Sequence, residues 1–127
     1  ASAALARLAD AGITLISQSV LLRGVNDNVK TLAELMKGFV ENRVKPYYLH
    51  HPDLAPGTSH FRLSIAEGQA LVAALRGRIS GLAQPTYILD LPGGHGKVEI
   101  GANAIVGSDG RYTLCDWQGV EHRYPPE

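Results

Sequence analysis

The residues best placed to do chemistry lie in one stretch, "LDLPGGHGK", Leu89 to Lys97. Gly93, Gly94 and Gly96 supply bare backbone that approaches a ligand closely and tolerates positive φ, and a single lysine follows them. Three readings suit that pattern: a solvated surface turn, a phosphate cradle, or an amine that condenses with a carbonyl compound. The phosphate cradle fails in detail. A P-loop needs G-x-x-x-x-G-K-[ST] opening a helix. Here the first glycine is too close, Val98 stands where a magnesium-binding hydroxyl belongs, and strand-like residues follow. The turn and the reactive amine both remain open on local sequence.

Asp53 and Asp90 form a second constellation. Each lies at or just past the end of a predicted parallel strand, and two carboxylates converging there would hold an ammonium group. Asp90 directly precedes Leu91-Pro92, so capping a turn is the plainer alternative. His50 and His51 are neighbours, and on a strand they point to opposite faces. His60 and His95 could join one of them, yet no H-x-x-x-H spacing occurs, and one cysteine cannot build a thiolate zinc site. No metal site is expected within this chain. Cys115 sits in a predicted strand and is expected to be packed and inert.

The elements that must position these groups follow from periodicity. "ASAALARLADAG" carries Leu5, Leu8 and Ala9 on one face and stops at Gly12, a good residue just past a helix end. Ile13–Leu22 is a buried strand, and "RGVNDN" is turn chemistry. Asn28 caps a helix through Asn42 with Leu32, Leu35, Met36, Phe39 and Val40 at helical spacing. Val44–His51 is a second strand, followed by the loop "PDLAPGTSHFR". Ser64 and Glu67 make a capping-box signature for a helix to about Arg78, with Leu71, Val72 and Leu75 inward. Pro85–Pro92 is a third strand.

The order α-β-α-β-α-β implies right-handed crossovers and parallel strands. Beyond Lys97 the texture changes to short antiparallel strands around the hairpin signal "SDG". The expected fold class is therefore α/β: the second half of an incomplete (β/α) barrel, residues 1–97, with a small antiparallel β extension, residues 98–127. Functional residues of such sheets gather at the carboxyl ends of parallel strands. Those ends carry Gln18–Ser19, the His50–Asp53 segment, and Asp90 with its glycine run.

The whole chain sets the frame. Its 127 residues, 45% hydrophobic and 19% charged, suit one modest globular domain or a piece of a larger one. Twelve basic residues balance twelve acidic ones, so no net field draws the chain to nucleic acid or a membrane surface. No apolar run approaches the ~18 residues that span a bilayer. A lone cysteine excludes an internal disulfide and fits a reducing cytoplasm. The chain begins at Ala1 inside a helical pattern, without methionine, and is expected to be part of a longer protein.

Four motifs in order, "SQSVLLRGVNDN", "VKPYYLHHPDLAPGTSHFR", "LRGRISGLAQPTYILDLPGGHGK" and "LCDWQGVEHRYPPE", resemble the carboxyl-terminal half of the lysine 2,3-aminomutase family. The resemblance runs from about Leu5 to Pro126. It implies an isomerase that interconverts L-lysine and L-β-lysine by radical S-adenosylmethionine (SAM) chemistry with pyridoxal phosphate. Lys97 takes the position of the lysine that carries pyridoxal phosphate as an internal aldimine. Asp53 and Asp90 take the positions of two aspartates that hold the substrate's side-chain ammonium. A relative acting on glutamate would need cationic or neutral groups there. Gln18 matches a residue near SAM, and His50 stands at a cofactor-pocket position where the family is expected to carry tyrosine.

The Cys-x3-Cys-x2-Cys motif that holds the family's [4Fe–4S] cluster is absent, so the resemblance places it in the half that precedes Ala1 and predicts that the isolated chain is inactive. Asn28 replaces a cysteine that binds inter-subunit zinc in some members, so no such zinc is expected. A half-barrel leaves an open sheet edge, which predicts association with the preceding half and into a homo-oligomer. A non-catalytic partner module of the same fold, and an aminomutase acting on another amino acid or a protein-bound lysine, are the alternatives.

Overall fold

The computed structural model describes residues 1–101, 105–106, 110–116 and 118–126. Helix α1 (Ser2–Asp10) ends as its sequence dictates. Gly12 takes φ 82° just past the end, and its amide returns to the carbonyl of Ala9. Strand β1 (Ile16–Val20) is shorter than the aliphatic run that encodes it and, as an edge strand, is mostly exposed rather than buried as expected. Asn28 then caps α2 (Val29–Glu41), its Oδ1 accepting the Thr31 amide at 2.8 Å. After β2 (Lys45–His50), Ser64 and Glu67 form the reciprocal capping box that opens α3 (Ile65–Leu75). Strand β3 (Thr86–Leu91) completes the alternating unit.

The main sheet has the order β1-β2-β3-β4, where β4 is Gly96–Glu99. The first three strands are parallel, as the crossovers require, and β4 runs antiparallel to β3. The glycine run is thus a tight hairpin turn, with Gly93 and Gly94 at φ 84° and 75°, and no helix follows it. This is the geometry that a P-loop does not have. Residues on both sides of position 97 share one sheet.

A second sheet, β5 (Ile105–Val106), β6 (Tyr112–Cys115) and β7 (Glu121–Tyr124), is antiparallel throughout. The Ser108–Asp109 part of the expected hairpin signal lies outside the described residues. Cys115 is on β6 as expected, but it is exposed rather than packed. Alternation explains this: its neighbour Leu114 turns inward, and Cys115 turns out. Among the described residues, no helix is long and apolar enough to cross a membrane.

The two faces of the main sheet differ. One face presents Leu49, Tyr87, Leu89 and Leu91 to a core shared with Leu32 of α2, Val72 and Leu75 of α3, and Tyr112, Leu114 and Tyr124 of the second sheet. The opposite face carries Gln18, His50, Asp90 and Lys97. A register shift between Ser17 and Gln18 decides this arrangement. Ser17 pairs with Pro46 but Gln18 pairs with Tyr48, leaving Tyr47 as an extra residue. One extra residue reverses the alternation of all that follows. Without it Leu49 would face out and His50 would face the core. The bulge leaves Tyr47 and Tyr48 side by side, their hydroxyls 3.1 Å apart.

Candidate functional site

Four adjacent strands each contribute one polar side chain to a continuous row. Gln18 Oε1 lies 2.8 Å from His50 Nε2, and His50 Nδ1 lies 3.0 Å from Asp90 Oδ2. The other Asp90 oxygen, Oδ1, pairs with Lys97 Nζ at 3.1 Å. The antiparallel register puts Asp90 directly opposite Lys97, so the hairpin itself imposes this ion pair. The sequence places Lys97 at the end of a glycine turn. The structure instead holds it on a strand, with its side chain about half exposed.

The protonation pattern follows from donors and acceptors. A carboxylate oxygen can only accept, so His50 Nδ1 carries a proton towards Asp90. Partial burial pushes the Asp90 carboxyl up, but the hydrogen bonds from Lys97 and His50 outweigh it. The net result lies below the usual carboxylate range. Asp90 is therefore a fixed anion with two partners.

A cleft of about 380 Å³ opens over this row, with Gln18, His50, Asp53, Thr58, Phe61 and Asp90 among its walls. A second cleft of about 240 Å³ shares Asp53 and Asp90 and continues to Pro92 and Tyr124. The two aspartates thus face common space, although 37 positions separate them in the chain. Asp53 sits in the loop after β2, where its Oδ1 accepts the Ala55 amide at 3.2 Å. Arg62 fixes that loop by donating to the carbonyls of Asp53 and Ala55. Sequence reasoning missed Arg62, whose only signal was a lone cation closing the loop "PDLAPGTSHFR".

Of the four histidines considered from sequence, only His50 enters the row. His51 points to the other face, as strand alternation requires, and is 4% exposed with Nδ1 2.7 Å from the Tyr87 hydroxyl. His60 is exposed on a short 3-10 turn. His95 stands in the hairpin turn, against His122. The five residues singled out for the site, Gln18, His50, Asp53, Asp90 and Lys97, are brought to one sheet face and its clefts.

Pyridoxal phosphate can be tested against these residues. An amine beside an open cleft suits the cofactor's carbonyl end. The walls of the larger cleft contain two carboxylates and no lysine or arginine, so they do not make a cradle for its phosphate. An iron–sulfur cluster does not fit this chain, because Cys115 is the single thiol.

Comparison with known proteins points to one enzyme family. Residues 72–127 match a family model described as lysine-2,3-aminomutase. Over 118 residues, 92% of the chain, identity to the L-lysine 2,3-aminomutase of Clostridium subterminale is 43%, covering 28% of that protein. The same enzyme of Methanococcus maripaludis is 43% identical over 95% of the chain and 28% of its own length. The glutamate 2,3-aminomutase of Clostridioides difficile is 37% identical over 89% of the chain and 27% of its length. The chain spans little more than a quarter of these relatives.

Proposed function

We propose, from the premise that this chain belongs to the lysine 2,3-aminomutase family, that it forms the part of an L-lysine 2,3-aminomutase that binds lysine and bears pyridoxal phosphate at Lys97. The observation that carries this reading is the row Gln18–His50–Asp90–Lys97 beside clefts that Asp53 also lines. In this reading β1, β2 and β3 are later strands of an incomplete (β/α) barrel, and the polar face of the sheet looks into its interior. The open edge of β1 suits a neighbouring strand supplied by the preceding part of the polypeptide.

The residues divide the work by charge. Asp53 and Asp90 hold the substrate's side-chain ammonium, which favours lysine over glutamate because a second carboxylate would be repelled. An amine in an ion pair has no electron pair to give, so nucleophilic work at Lys97 begins by breaking its contact with Asp90. A second ammonium, that of substrate lysine, is the chemically matched replacement on Asp90. His50 keeps that carboxylate oriented through Nδ1, and Gln18 in turn orients the imidazole through Nε2. Gln18 also stands at the position that the family resemblance puts near SAM.

Bound pyridoxal phosphate would supply an electron sink next to the substrate nitrogen. Its phosphate contacts, the SAM site and the [4Fe–4S] ligands would come from the remaining part of the enzyme, and the isolated chain would be inactive.

Borohydride reduction of the cofactor-loaded enzyme, followed by peptide mapping, tests the assignment. The phosphopyridoxyl group is expected on Lys97 and is expected to disappear in Lys97→Ala. Labelling spread evenly over Lys30, Lys37 and Lys45, or unchanged in the variant, would refute it.

A further inference from the structure

A second polar cluster lies outside the clefts. His95 comes from the β3–β4 turn, Asp116 follows β6, and His122 sits on β7; one ligand atom from each lies within 4.8 Å of the others. The hairpin between β6 and β7 explains two of the three. Its register sets Leu114 opposite His122 and Cys115 opposite Glu121, so Asp116, one residue past the ladder, lies diagonally across from His122 on the same face. Asp116 is only 9% exposed. Its Oδ1 accepts the amides of Gln118 and Val120 at 2.9 and 3.0 Å. This fixes the carboxylate and aims Oδ2 at His122 Nε2, 2.7 Å away. The His95 ring lies against that of His122, with centroids 4.2 Å apart.

We propose that His95, Asp116 and His122 form a binding site for a late first-row divalent cation, zinc(II) in the first instance, which ties the glycine turn to the second sheet. Two imidazoles and one carboxylate are borderline donors that suit zinc, cobalt or nickel better than magnesium or calcium, which prefer all-oxygen shells. The backbone amides on Oδ1 supply the outer support that orients a ligating carboxylate.

Binding is an exchange: the cation takes the place of the proton shared by His122 Nε2 and Asp116 Oδ2, and a water fills the fourth position. Ligand atoms in a tetrahedral zinc site stand about 3.3 Å apart, so Asp116 and His122 separate slightly and the exposed His95 closes in. The turn that His95 occupies joins Asp90 to Lys97. A cation there would hold the β3–β4 hairpin against the second sheet.

The test is titration of the protein with zinc(II) alone against a chromophoric chelator, with cobalt(II) absorption as the geometric probe. One equivalent is expected to bind, with cobalt bands of four-coordinate type. His95→Ala, a change on an exposed turn, should weaken zinc at least tenfold, and His122→Ala should do the same. His60→Ala, an exposed histidine outside the cluster, should leave affinity unchanged. Failure of the unaltered protein to bind one equivalent would overturn the site. So would equal affinity in His95→Ala, or a loss in His60→Ala as large as in His95→Ala.

Discussion

Asp90 is the residue on which the site turns. Its two oxygens serve two cations or donors at once, Lys97 on one side and His50 on the other. Asp53 faces the same clefts but accepts a local backbone amide, so it retains acceptor capacity for a ligand. If these carboxylates hold the substrate ammonium, removing either charge weakens lysine without harming an acidic analogue. In the complete enzyme, Asp90→Asn and Asp53→Asn should each raise KM for L-lysine about tenfold or more, a loss of ~1.4 kcal/mol. Inhibition by L-glutamate should be unweakened or should strengthen. A lysine KM unchanged in both variants would remove the ammonium from the site.

At the scale of elements, α3 lies close to β3 at one unusual point. A Cβ on Gly68 would run into the Tyr87 hydroxyl, the group that meets His51 on the buried face. Glycine inside a helix ordinarily weakens it, so alanine would be an improvement if the helix were isolated. Here Gly68→Ala should instead destabilise the fold by roughly 1–3 kcal/mol through overpacking. Urea denaturation would show it as a lower midpoint at constant slope; a raised midpoint would mean that α3 can shift away from β3 at no cost.

The capping residues Asn28 and Ser64, the apolar spacing in α2 and α3, and the order of strands were all legible in sequence because they depend on neighbours within a few positions. The bulge at Tyr47 was not. "VKPYYLHH" reads as a regular strand, and only the pairing with β1 shows that one residue is extra. His50 therefore reached the right face by a device the sequence hides. Lys97 was legible as a reactive candidate, but its pairing with Asp90 needed the antiparallel return of β4. Asp116 and His122 carry no spacing signal, since a hairpin and a separate turn bring them to His95.

At the scale of the whole molecule, the two sheets share one core, and His51 lies near their junction. Its ring is 6.0 Å from that of Tyr87 on the main sheet and 6.3 Å from that of Tyr124 on the second, centre to centre. Burial, with the charge of Arg62 adding to it, lowers its pKa from an ordinary 6.5 to about 4. The neutral ring accepts at Nδ1 from Tyr87, whose phenol burial keeps protonated. Between about pH 6.5 and 4 the unfolded chain binds a proton that the folded one refuses, so stability present above that range drains away as pH falls. The loss at its lower end is ~3 kcal/mol.

Asp90, Glu67 and Asp116 are all held below the usual carboxylate range, so their contributions fade only below about pH 4.5 and leave the upper window to His51. Urea midpoints should fall clearly between about pH 7 and pH 5. His51→Gln keeps an acceptor for Tyr87 but cannot titrate there, and its midpoints should stay nearly level across the same range. Parallel decline in both proteins would place the pH sensitivity elsewhere in the molecule and leave the junction of the sheets indifferent to protonation.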